Sequence, residues 1–189
     1  MKLSRGFKRA IAYAVYDCAA RGMREISVDH LLLGLFREDF PLIDDVTKTF
    51  SLDSFKLLDG LLLNNPESGL KSDQTHVFFG SEAMDVLQFS ELEAYTFSHG
   101  SIRTEHLFLG ILDYHTSSLK QFLVEKDIVC AMVRELVSVT RFGEDAPRTP
   151  EVYVLDKGTR MEIRHFSMGG SLFNKKNLSI AVLQLFKGY

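Results

Sequence analysis

A carboxylate next to a histidine occurs twice in this chain, as Asp29 with His30 and as Glu105 with His106. Both pairs sit in the same frame, VDHLLLGLF from Val28 to Phe36 and TEHLFLGIL from Thr104 to Leu112. An acid beside an imidazole can pass protons as an acid and base pair or contribute to a metal site. Each role has a plain structural counterpart. An acid in the first turn of a helix is favoured by about 0.3–1 kcal/mol at the positive end of the helix dipole. The histidine behind it can be a half-buried packing residue with one ring nitrogen satisfied.

Stronger chemical signatures are missing. The six histidines, His30, His76, His99, His106, His115 and His165, form no H-E-x-x-H pattern, and Cys18 and Cys130 stand far apart with no C-x-x-C, so no metal is expected. His99, His106 and Glu105 could converge in space, although a loop histidine ahead of a helix is more often solvated. No G-x-S-x-G elbow marks a nucleophile. The stretch GGSLFNKK, Gly169 to Lys176, lacks both the spacing and the terminal hydroxyl of a phosphate loop, so no cofactor and no ATP hydrolysis are expected. The one catalytic alternative is a small hydrolase or ligand-binding enzyme using Glu105 and His106 as acid and base.

The elements that carry the two pairs repeat as well. With the motifs superimposed, Ile26 falls on Ile102, Leu31 on Leu107, Leu33 on Leu109, Gly34 on Gly110 and Leu35 on Ile111, all without a gap. Upstream, Phe7, Ile11, Ala14, Val15 and Cys18 step by three and four, the spacing of one apolar helix stripe. Ala83, Leu87, Ser90, Ala94 and Phe97 keep the same rhythm, with Ser81 as the expected N-cap and Glu82 in the first turn. Ser27 or Val28 precedes the first motif helix, and Thr104 is the expected N-cap of the second. Leu42 to Phe50 with Leu52 to Leu62, and Ser118 to Glu125 with Ile128 to Val137, complete two units of about four helices. Gly34 and Gly110 lie inside helices at a cost near 1 kcal/mol relative to alanine, which close approach of a neighbouring helix would offset.

A short helix exposes a stripe that only a neighbour can cover, so a duplicated unit packs most economically about a pseudo-two-fold axis. The expected architecture is mainly α: a first repeat over 1–63, a linker over 64–75, a second repeat over 76–141, a linker over 142–150 and a C-terminal extension over 151–189. In that extension EVYVLD and MEIRHF read as a β-hairpin, and the run after it fits a strand or a helix. The extension suits either an edge for partner pairing or a cap over the helices.

Composition bounds the rest. The 189 residues are 46% hydrophobic, enough to bury a core. Lysine and arginine total 22 against 25 acids, a charge of −3, which favours neither nucleic acid nor an anionic membrane as partner. The N-terminus lacks the apolar run of a signal peptide, and LSIAVLQLF, from Leu178 to Phe186, is far shorter than the ~20 residues of a membrane span. Two cysteines in apolar helical patterns read as reduced, buried thiols.

The doubled I-x-x-[DE]-H-L-x-L-G-[LI], carried by Ile26 to Leu35 and Ile102 to Ile111, resembles the repeat of the Clp N-terminal domain, the all-α module at the front of Clp-family AAA+ unfoldases. The resemblance covers roughly 1–141. With the ATPase motif missing and a C-terminal segment unlike an AAA+ start, the chain is expected to be a free-standing relative. The resemblance implies a non-catalytic interaction module of the Clp chaperone-protease system, cytoplasmic or in the plastid stroma of a plant. Its implied partners are Clp unfoldase or protease subunits, adaptors and client proteins. In some bacterial members the acid of this motif helps recognise phosphorylated arginine on marked proteins, the carboxylate meeting the guanidinium side. That role would fall here on Asp29, Glu105 and Thr104, with Glu105 the preferred binder. The first copy departs by carrying aspartate and SVD where glycine-threonine-glutamate is common, and the second by carrying Arg103 ahead of Thr104.

Overall fold

The computed structural model describes residues 1–64, 77–115 and 117–143. The expected linkers, apart from their edges, and the C-terminal extension with its β-hairpin lie outside the described residues. The first repeat runs β1 (Lys2–Leu3), α1 (Arg5–Ala20), β2 (Glu25–Ile26), α2 (Val28–Glu38), α3 (Phe40–Thr49) and α4 (Ser54–Asn64). The second runs β3 (Phe78–Phe79), α5 (Ser81–Thr96), β4 (Ser101–Ile102), α6 (Thr104–Asp113), α7 (Ser118–Val124) and α8 (Cys130–Phe142).

Backbone devices recur with the helices. Gly22, after α1, and Ser98, after α5, both have positive φ, and Met23 and His99 each return an amide to a carbonyl inside the preceding helix, Cys18 and Ala94. Ser51 and Asp127, ahead of α4 and α8, form a second such matched pair, with φ of 54° and 57°. α3 and α7 alone among the helices do not start at matching positions: Ser118 opens α7, two residues past the counterpart of Phe40.

The two repeats exchange strands. β1 pairs in parallel with β4, Lys2 opposite Ser101, and β2 pairs in parallel with β3, Glu25 opposite Phe78. Shifting the first pairing by one repeat reproduces the second, so the two ladders are related by an approximate dyad. Strands of two residues leave no periodic trace, which is why the sequence pattern did not disclose them.

α2 and α6 form the centre. α2 packs on α1 and α6 on α5, and the two central helices also touch each other. Leu31, Leu32, Leu35, Leu107, Phe108 and Ile111 are fully buried there, with Ile26 and Ile102 beneath. Both motif glycines face a helix backbone. A Cβ on Gly34 would run into the carbonyl oxygen of Ala10, and one on Gly110 would lie 2.8 Å from the carbonyl oxygen of Val86, the residue matching Ala10. Close helix approach, expected from the cost of an internal glycine, is what the structure shows.

Two expected caps differ. α5 is capped by Gly80, with Ser81 the first helical residue, and α6 is capped by Arg103, with Thr104 the first helical residue. In both cases the extended residue precedes the hydroxyl by one position. The freed hydroxyl of Thr104 has another use.

Candidate functional site

The imidazoles of the motif complete the helix starts. Ser27 caps α2: its hydroxyl faces the amide of His30 at 3.4 Å, and its own amide donates to Nδ1 of His30 at 3.1 Å. At α6 the amide of Arg103 donates to Nδ1 of His106 at 2.9 Å. A histidine thus stands at the third helical position and accepts from the cap residue, the work a glutamate or glutamine does in a capping box. Both rings are wholly buried.

With Nδ1 accepting, the proton of each ring sits on Nε2. In the second repeat Nε2 of His106 donates to Nδ1 of His99, 2.8 Å away. The matching position in the first repeat is Met23, and Nε2 of His30 has no hydrogen-bond partner among the described residues. Burial holds both rings neutral. His106 is pushed down to about 3 by burial and then by His99 and Arg103. His30 is lowered by burial and Arg21 against an opposing pull from Asp29. His99 and His106 therefore do converge, but on each other and on Phe97 and Phe142, whose rings lie 4.3 Å apart between centroids. His106 has both ring nitrogens in hydrogen bonds, one with the backbone amide of Arg103 and one with His99.

The carboxylates are organised differently, by bonds between repeats. Asp29, half-buried in the first turn of α2, accepts from the hydroxyl of Ser118 at 2.9 Å. Thr104 donates to Oδ2 of Asp39, the cap of α3, at 2.7 Å and lies 3.3 Å from Oε2 of Glu105. Each motif helix start is thus bonded to the start of the third helix of the other repeat. Arg141 of α8 adds an ion pair with Asp45 at 3.3 Å and approaches Asp39 at 3.8 Å. The structure brings Thr104 and Glu105 together with Asp39, and sets Asp29 at the related place with Ser118. Asp39, Ser118 and Arg141 were not evident in sequence, because each lies in the repeat opposite to its partner.

Among the described residues, no group of three His, Cys, Asp or Glu side chains is placed to hold a metal ion, and no helix is long and apolar enough to cross a membrane.

Over 114 residues, 59% of its length, the chain is 27% identical to ClpC of Staphylococcus aureus, an ATP-binding subunit of the ATP-dependent Clp protease. ClpC of Staphylococcus saprophyticus matches at 25% over 113 residues. The matched stretch spans 13% of the length of these relatives. No family profile matches the sequence. The fold is similar to that of the Hsp104 N-terminal domain from Candida albicans, with a TM-score of 0.62 at 13% identity, over 76% of this chain and 94% of that one. It is also similar to the N-terminal domain of ClpD from Arabidopsis thaliana, with a TM-score of 0.51 at 19% identity, over 75% of this chain and 94% of that one. With its duplicated helix starts and crossed strands, the described helical body has the fold of the Hsp104 and ClpD N-terminal domains, and its sequence is similar to a stretch of ClpC.

Proposed function

We propose that this domain is a non-catalytic recognition module that receives arginine-bearing segments of client or adaptor proteins of the Clp chaperone-protease system, phosphorylated arginine among them. The observation that carries this reading is the pair of carboxylates, Asp29 and Glu105, at dyad-related helix starts that are cross-bonded between the repeats. Hydroxyl bonds and packing fix these groups before any ligand arrives, which lowers the ordering cost of binding. A guanidinium on a surface carboxylate adds about 0.2–1 kcal/mol. Recognition by one such pair is weak, and two sites on one domain, or several domains in an assembly, would strengthen it by raising the local ligand concentration. Clp unfoldase or protease subunits are the assembly this reading supplies with clients.

Calorimetric titration with a peptide carrying phosphoarginine, and with the same peptide carrying citrulline, tests the reading. Binding is expected for the first and not for the second, and Asp29→Ala with Glu105→Ala is expected to abolish it. Equal binding of the citrulline peptide, or binding that survives the double substitution, would contradict it.

A further inference from the structure

The two repeats differ on the outward face of their last helix. Val129, Met132, Leu136 and Val139 follow one another at steps of three, four and three, which places them along one side of α8 and its cap. The buried side of the same helix is formed by Val133, Arg134, Val137 and Ser138. Val129 and Met132 are 59% and 55% exposed, and Leu136 and Val139 are half-buried. In the first repeat the residues matching Val129, Met132 and Leu136 are Asp53, Lys56 and Gly60. A helix in the same place thus carries charge where α8 carries an apolar stripe, so the scaffold itself does not call for apolar residues there. An exposed apolar stripe of this kind marks a contact surface.

Charge around the stripe is one-sided. Glu125 and Asp127, in the turn ahead of α8, and Glu135, beside Met132 and Leu136 on the helix, are exposed, against one exposed base, Lys126. An occupant that fits this face offers an apolar stripe with basic flanks. Such a stretch follows in the same chain. Leu178, Ala181, Val182, Leu185 and Phe186 share one face at helical spacing, between Lys175 with Lys176 on one side and Lys187 on the other, and no acid occurs after Glu162. That stretch lies outside the described residues. The chain leaves the described body at the end of α8, whose 13 residues span about 20 Å, and the length from Gly143 to Leu178 can reach several times that distance.

We propose that the outward face of α8 is the seat of the chain's own segment 178–186, apolar stripe on apolar stripe, with the flanking lysines drawn to Glu125, Asp127 and Glu135. Tethering keeps the segment at a high local concentration, so a contact too weak to form between separate chains forms within one. On the related face of α4, Asp53 and Lys56 would lose water beneath an apolar segment, a cost that Val129 and Met132 do not carry. The extension therefore settles on the second repeat.

Photocross-linking of the full chain tests this. Benzoylphenylalanine replaces Met132 in one protein and its counterpart Lys56 in another; both positions are exposed, and circular dichroism verifies that each protein keeps its helices. Irradiation of the first is expected to give a cross-link to residues 178–186 within one chain, and irradiation of the second none to that segment. Val182→Asp with Leu185→Asp is expected to abolish the cross-link, and Lys175→Glu with Lys176→Glu and Lys187→Glu to weaken it. The absence of a cross-link from position 132 to 178–186, an equal yield from position 56, or a product that joins two chains would overturn the proposal. A cross-link that survives the two aspartates would overturn it as well.

Discussion

Arg37 and Asp113 occupy matching positions in the last turns of α2 and α6 and carry opposite charges. In the first repeat Arg37 pairs with the buried Asp17 of α1 at 2.6 Å. The acid matching Asp17 is Glu93 of α5, wholly buried, and an aspartate at 113 cannot neutralise it. Arg134 of α8 takes over. It bonds Glu93 through two nitrogens at 2.9 and 2.8 Å and also reaches Asp113. Burial, opposed by Arg134 and reinforced by Glu93, raises the Asp113 carboxyl to about 6. The repeat has kept the acid and moved its counter-ion to another helix.

Arg134→Met is therefore expected to cost about 3–5 kcal/mol at neutral pH, because it removes the guanidinium that bonds the buried Glu93 carboxylate and reaches Asp113. The matching residue of the first repeat is Leu58, so Asp113→Arg with Arg134→Leu rebuilds the first-repeat arrangement and should recover a large part of that loss. Urea unfolding of the two variants checks this. An Arg134→Met protein as stable as wild type would show that the triad is not a structural ion network.

The cross-repeat hydroxyl bonds should be measurable one at a time. Thr104→Val keeps the shape and removes the donor to Asp39, and Ser118→Ala removes the donor to Asp29. Each is expected to destabilise by about 1.5–3 kcal/mol, the range for a hydrogen bond to a charged group. Thermal unfolding of the single and double variants reads the loss, and near-zero effects would mean that the helix starts are not braced across the dyad.

Glycines at different places should respond in opposite directions. Gly34→Ala and Gly110→Ala drive a methyl into the backbone of α1 or α5 and are expected to destabilise by about 1–3 kcal/mol despite the better helix propensity. Gly60, inside α4, has nothing within 4 Å of an added Cβ, and Gly60→Ala should stabilise by up to about 1 kcal/mol. Denaturation midpoints of the three variants test the contrast.

The buried histidine gives a pH dependence of definite sign. His106 titrates at about 3 in the folded chain and at its ordinary 6.5 in the unfolded one. Below 6.5 the unfolded chain binds a proton that the folded chain refuses, so this group's stabilisation, complete above 6.5, declines as pH falls toward 3, by up to about 1.4 kcal/mol per pH unit. Asp113, raised to about 6, contributes in the opposite direction over part of that window. The comparison of wild type with His106→Asn isolates the histidine: the stability advantage of wild type should shrink between pH 7 and pH 4. A constant difference would contradict the assignment of a neutral, buried ring.

Legibility in the sequence followed the nature of each constraint. Gly34 and Gly110 announced close helix contacts because an internal glycine has a cost that packing must offset. Leu31 with Leu107 and Phe7 with Ala83 announced helix faces through their spacing. The pairing of Leu3 with Ile102 left no such trace, since two residues make no period and the partner is in the other repeat. Thr104 showed the limit of reading caps by residue type: one extended residue earlier, Arg103 takes the cap, and the hydroxyl turns outward to Asp39. Arg134 sits in an apolar helical pattern, and its role depends on Glu93 and Asp113, two acids on other helices.

The central claim is that arginine-bearing segments dock at the motif helix starts, and the amide spectrum of the isotopically labelled protein during titration with a phosphoarginine peptide tests it most directly. The account predicts that the amides of Asp29, His30 and Ser118 and those of Thr104, Glu105 and Asp39 move together. Shifts that cluster on other helices, or a spectrum unchanged at saturating peptide, would contradict it.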